Sequence, residues 1–163
     1  MSLEIKEDGR LLIRVPYGVS TKEAVDFAKQ HENWLAKNYA KVVNRKESRP
    51  VYRPEEIEEY KEKLRPVLEH RAAYYAGMMR VNYQKITIKD QKTRWGSCSA
   101  KGNLNFNWKL FLMPPEILDY VLVHELAHRI EMNHSDRFWK QVEKIIPDYK
   151  ERRRWLKEYG AQQ

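Results

Sequence analysis

Val121-Leu122-Val123-His124-Glu125-Leu126-Ala127-His128-Arg129-Ile130-Glu131-Met132-Asn133-His134-Ser135 contains His-Glu-x-x-His, and a third histidine follows six residues after the second. Residues four apart on an α-helix lie only ~40° apart around its axis. His124 and His128 therefore project from one face, where two imidazoles can hold a Zn²⁺. Glu125 beside them can accept a proton from water at that metal. A catalytic zinc takes three protein ligands and leaves one position open. His134 supplies the third if the helix stops soon after Glu131 and the chain turns back. Met132-Asn133 is a suitable turn, since Asn tolerates the left-handed conformation of helix ends. The preceding run Ile117-Leu118-Asp119-Tyr120-Val121-Leu122-Val123 reads as a buried helix. Burying His, Glu and His there costs free energy unless they are paired or bound to metal.

Composition bounds the rest. The chain has 163 residues, is 42% hydrophobic and carries a net charge of +8. That is one domain, or one with a small N-terminal lobe, and it is long enough to bury a core. No apolar run reaches the ~18 residues a membrane span needs. No basic segment followed by an apolar stretch opens the chain, so no secretory leader is expected. One cysteine, Cys98, excludes an internal disulfide framework and fits a reducing cytoplasm. The positive charge favours anionic partners. Its densest cluster, Lys150, Arg152, Arg153, Arg154 and Lys157, is diluted by Glu151 and Glu158. Weak, salt-sensitive nucleic-acid binding without sequence preference is the expectation.

Working outward from the motif, Leu3 and Ile5, then Glu7-Asp8-Gly9, then Leu11, Ile13 and Val15 predict a β-hairpin with an Asp-Gly turn. Ser20, three before Glu23, opens a helix with a capping box; its apolar period carries it to about Val42. Residues 44–53 are polar and read as a linker. Hence the expected organisation: an N-terminal hairpin-and-helix lobe over 1–53 and the metal-binding domain over 54–163. Pro54 suits the first position of a long helix, with a kink or break expected near Arg65 because of Pro66. Residues 85–89 alternate as a strand. Residues 93–102 read as a loop, and Asn103-Leu104-Asn105-Phe106-Asn107-Trp108 as a strand with one polar face. Pro114-Pro115 opens the motif helix, Ser135 caps another, and Pro147-Asp148 starts a last one ended by Gly160.

Three ordered motifs carry a resemblance. Arg94-Trp95-Gly96-Ser97-Cys98-Ser99, then His124-Glu125-Leu126-Ala127-His128, then Asn133-His134-Ser135 with Phe138-Trp139 resemble the YgjP-like metallopeptidases, relatives of the SprT-like and Wss1-like zincin proteases. The resemblance is close over 85–159 and loose over the rest. It implies an α+β, zincin-like domain: an active-site helix, a small β-sheet, and an N-terminal β-hairpin plus helical segment. It also implies zinc ligands at His124, His128 and His134 and a general base at Glu125. Many such relatives carry basic residues ahead of the hairpin, so the resemblance implies the expectation of a trimmed or naturally short version for a sequence that begins at Met1-Ser2-Leu3.

The expected activity is zinc-dependent hydrolysis of peptide bonds in a peptide or unfolded protein. Two alternatives stay open: a metal-dependent nucleotide pyrophosphatase, an activity attached to YgjP-like proteins, and a nucleic-acid-associated module with a structural zinc. For a peptide substrate, an edge strand above the cleft supplies backbone hydrogen bonds. Residues 103–108 are the candidate, with Asn103, Asn105 and Asn107 as substrate-binding side chains beside Arg94; the alternative is an ordinary sheet strand. Arg94 can also anchor its own loop through a carboxylate or carbonyls. Cys98 is either a redox-sensitive or inhibitory thiol or a small buried residue. Phe138 and Trp139 are expected to buttress His134. The acceptor for a histidine's second nitrogen lies among Glu131, Asp136 and Glu143.

Overall fold

A computed structural model describes residues 1–6, 8–48 and 50–160, without the side chains of 43–48. The chain divides into two compact units, Met1–Pro50 and Val51 onward.

The first unit begins with the hairpin. β1 (Ser2–Ile5) pairs antiparallel with β2 (Leu11–Arg14), Leu3 opposite Ile13. Gly9 sits at φ +84° in the turn, a conformation that only glycine adopts without strain. Ser20 and Glu23 form the capping box of α1 (Thr21–Gln30). The helix expected to reach Val42 is interrupted at His31, which leaves helical geometry at ψ 22° while its Nδ1 lies 2.8 Å from the Phe27 carbonyl oxygen. A second helix, α2 (Glu32–Ser48), then runs past the predicted end. It takes in much of the expected linker, because Arg45, Lys46 and Glu47 are good helix formers.

The second unit holds the core. α3 (Pro54–Met79) starts with proline at its first turn and runs through Pro66 as one helix, so of the expected kink or break there is no break. Leu64, Leu68, Ala72 and Ala76 form its buried stripe, a spacing of four that keeps one face inward. β3 (Lys85–Lys89), β4 (Gly96–Cys98) and β5 (Asn103–Asn107) make a three-stranded sheet in the order β3-β5-β4. β5 is parallel to β3 and antiparallel to β4. β4 lies inside the stretch read as a loop. Its three residues are too few, and Gly-Ser too poor in β propensity, for a period-two signal. β5 is the central strand, so it is not the edge that a substrate strand needs.

A 3₁₀ turn (Trp108–Leu112) leads to α4 (Pro115–Ala127), the motif helix. α4 is buried almost all round, packed on α3 on one side and β4 on the other. Asp119 of α4 forms a partly buried ion pair with Arg71 of α3 at 2.5 Å. α5 (Asp136–Ile145), capped by Ser135, and α6 (Tyr149–Tyr159) complete the unit. Among the described residues no helix is long and apolar enough to cross a membrane.

Candidate metal centre

α4 ends at Ala127, one turn earlier than the motif suggested, and His128 is its C-cap. The backbone then tightens: Arg129 N–H donates to Leu126 O, and Ile130 and Glu131 N–H both donate to Ala127 O. That early stop carries His134 back over the helix end. The nitrogens of His124, His128 and His134 that face one another all lie within 4.8 Å, and the Nε2 atoms of His124 and His134 are 3.0 Å apart. Three imidazole nitrogens this close form a donor set suited to one divalent ion. Burial first, then His128, His134 and Arg153, depress His124 to about 3, so its ring is neutral, the form that binds metal. His128 Nδ1 meets the backbone carbonyl of Glu131 at 3.1 Å. The acceptor is thus Glu131's main chain, not one of the carboxylates weighed from sequence. His124 Nδ1 is buried without a hydrogen-bond partner among the described residues.

α5 supplies the floor. Phe138 is fully buried, and its ring centroid lies 4.8 Å from His124, 4.5 Å from His128 and 4.8 Å from His134. Trp139 stacks on His134 at 5.8 Å and on Tyr149 at 5.3 Å. The expected buttress is present, and Phe138 supports all three rings rather than His134 alone. From α6, Arg153 lies over the Trp139 ring at 4.6 Å. Arg152 pairs with Asp148 and donates to the Glu116 carbonyl. The basic cluster of α6 is thus partly engaged within the fold.

Glu125 lies on the other side of the histidines, 6% exposed. It packs directly on β4: a Cβ at Gly96 would stand 2.8 Å from both Cγ and Oε1 of Glu125. Gly96 has no positive φ, so it is the space, not the backbone, that demands glycine there. Burial pushes the Glu125 carboxyl up to about 8, while Arg94 pulls it down; a nearby cation also favours the charged form.

The register of β4 on β5 fixes the rest. Gly96 pairs with Phe106, Ser97 with Asn105 and Cys98 with Leu104. Side chains alternate across a sheet, so Gly96, Cys98, Leu104 and Phe106 share the face toward α4. Asn103, Asn105 and Asn107 point to the other face, away from Glu125. Asn105 donates to Ser97 Oγ at 3.2 Å. Asn107 is buried and donates to the carbonyls of Gln91 (2.7 Å) and Arg94 (3.1 Å). Asn107 anchors the Arg94 loop, not the Arg94 side chain as expected. Cys98 is half-buried beside Glu125 and Arg129, and desolvation raises its thiol.

Among the described residues β4, like β3, is an edge strand of this sheet. Trp95 O accepts from Asn107 N–H at 2.9 Å, and Ser99 N–H donates to Asn103 O at 3.0 Å. Alternation along an antiparallel ladder then turns the N–H and C=O groups of Gly96 and Cys98 to the open side. Next to His124 and Glu125 lies a cavity of about 200 Å³, walled by Trp95, Tyr120, Val121 and Leu156 and reached by Arg94. Sequence reading missed the roles of Tyr120, Val121 and Leu156. Val121 and Tyr120 stand three and four residues before His124, and helical spacing was the available signal.

Comparison with known proteins agrees with this geometry. The chain is similar to the metallopeptidase zymogen abylysin of Pyrococcus abyssi, at 26% identity, with 56% of this chain and 93% of that one covered and a TM-score of 0.51. Jannalysin, a metallopeptidase zymogen of Methanocaldococcus jannaschii, shares the fold at 21% identity and a TM-score of 0.50, over 56% of this chain and 94% of that one. No curated protein matches the sequence. The YgjP-like metallopeptidase domain matches residues 52–159. With a small sheet over an active-site helix and most of the chain matched, this α+β, zincin-like protein belongs to the YgjP-like metallopeptidase family.

Proposed function

We propose that the protein is a zinc-dependent peptidase in which His124, His128 and His134 hold the metal and Glu125 is the general base. The observation that carries this reading is the convergence of three histidine nitrogens beside a buried carboxylate pressed against a strand with an open edge. When bound, the zinc supplies a Lewis acid that acidifies water and polarises a carbonyl. The chain's own groups do the rest. The N–H and C=O groups of Gly96 and Cys98 pair with an extended substrate backbone, which binds peptides of varied sequence. The Glu125 carboxylate takes the proton of the attacking water and returns it to the leaving amine. Its burial keeps it from swinging into solvent, and its raised proton affinity suits both transfers. Phe138 holds the three rings in place.

The test is metal analysis combined with Glu125→Gln. We expect about one zinc per chain, slow cleavage of an unfolded protein, and a fall of about 100-fold or more in kcat for the variant with zinc content unchanged. Nucleoside triphosphates are assayed in parallel. Turnover of these with no peptide cleavage would move the function to phosphoanhydride hydrolysis. A fourth protein ligand closing the zinc site would make the metal structural.

A further inference from the structure

The cavity beside the histidines has a composition that suits one kind of side chain. At about 200 Å³ it falls below the ~300–1,000 Å³ that encloses a drug-sized ligand, and it fits a single residue. Its walls are apolar: Trp95, Val121 and Leu156, with the ring of Tyr120. The Trp95 wall is itself fixed from behind, since a Cβ at Gly160 would lie 3.0 Å from the indole. Glu125 and His124 border the cavity on the metal side. The one cationic side chain that reaches it is Arg94, which is exposed and makes no ion pair among the described residues. The loop that carries Arg94 is fixed through its own carbonyl by Asn107. A guanidinium lining an apolar pocket, with Glu125 as its acidic neighbour but in no ion pair among the described residues, matches a ligand with a short apolar stem and an anionic end.

We propose that this pocket binds a substrate carboxylate at Arg94, so that the enzyme selects an acidic residue adjacent to the scissile bond. The inference rests on the peptidase reading for what carries the carboxylate. A glutamate side chain matches the geometry: its methylenes lie along Trp95 and Leu156 and its carboxylate meets the guanidinium. A free peptide C-terminus offers the same group and is separated by experiment.

The experiment uses matched peptides with Glu, Gln or Leu beside one cleavable bond, each with a free or amidated C-terminus. Binding to the full chain in chelator is measured by calorimetry, and kcat/KM is measured with the zinc-loaded protein. We expect the Glu peptide to bind about tenfold tighter than the Gln peptide, as a lost charge-assisted hydrogen bond implies. Amidation should leave that ratio unchanged if the side chain is the ligand and abolish binding if the terminus is. Arg94→Ala should remove the preference, and Arg94→Glu should turn it toward Lys. Arg94 is exposed, so these variants fold, and a thermal melt checks it. Glu-selective, Arg94-dependent binding without cleavage by the loaded protein sinks the peptidase reading and leaves the pocket assignment standing. No Glu preference in binding, or no measurable binding at millimolar peptide, overturns the assignment whatever the cleavage result. Displacement of the Glu peptide by a lower concentration of nucleoside triphosphate overturns it in favour of phosphate.

Discussion

Gly96→Ala tests the placement of Glu125 without touching a histidine. The added methyl would stand 2.8 Å from Cγ and Oε1 of Glu125 and 3.1 Å from Cδ. Ordinary contact begins near 3.4 Å, so the carboxylate or the strand has to move by at least ~0.6 Å. Glu125 is buried, and β4 is held to β5 on one side. Overpacking of this kind costs about 1–3 kcal/mol, which for a chain of this size lowers Tm by roughly 3–10 °C. The larger effect is on rate. Misplacing a catalytic group by ~1 Å costs about 100-fold, so kcat should fall between tenfold and 100-fold. Zinc content should stay at the wild-type level, because the atoms nearest the added methyl all belong to Glu125. The assay set is a thermal melt, metal analysis and peptide cleavage on one preparation. Wild-type kcat together with wild-type Tm would refute the reasoning, since it would mean that the carboxylate is not confined by the strand.

Other perturbations read neighbouring contacts. Asn107→Ala removes two donated hydrogen bonds to the Gln91 and Arg94 carbonyls, and a cost of about 2–3 kcal/mol should appear in denaturant unfolding. Asn107→Asp keeps the size but loses the donors, so an Asp variant as stable as wild type would contradict the anchoring role. For Cys98, burial favours the neutral thiol over the thiolate. The thiolate fraction at pH 8 is therefore below that of a free cysteine, and alkylation by iodoacetamide, followed by mass spectrometry, should be slower than for an unfolded peptide and accelerate as pH rises. Equal rates at pH 8 would show that the thiol is open to solvent.

The metal-binding segment was legible in the sequence because its information is local. Helical spacing places His124 and His128, and the Ser135 cap starts α5 where the turn requires. The capping box of α1 and the hairpin turn at Gly9 were readable for the same reason. What failed was non-local. The edge of a sheet is a property of strand order, and nothing in residues 103–108 says that a three-residue strand from the preceding loop lies outside them. The side of the sheet that Asn105 faces follows only from its pairing with Ser97. Pro66 does not end its helix: a helix of 26 residues anchored by Leu64, Leu68 and Ala72 offsets the hydrogen bond that a proline removes. The acceptor was sought among the carboxylates of Glu131, Asp136 and Glu143, whereas the carbonyl of Glu131 meets His128, a contact that depends on where α4 stops.

Phe138 has a thermodynamic consequence. Its ring touches all three histidines, yet it belongs to a helix that forms after the last of them in the chain. The unfolded polypeptide keeps three histidines within eleven residues but has no floor beneath them. An ion that binds the assembled site and not the loose chain stabilises the folded state by RT ln(1 + [L]/Kd), about 4 kcal/mol at a thousandfold excess over Kd. Docking of α5 and capture of the ion thus form one linked equilibrium. A substitution that weakens Phe138 packing lowers metal affinity from a distance, and metal in turn protects the docking of α5 against unfolding.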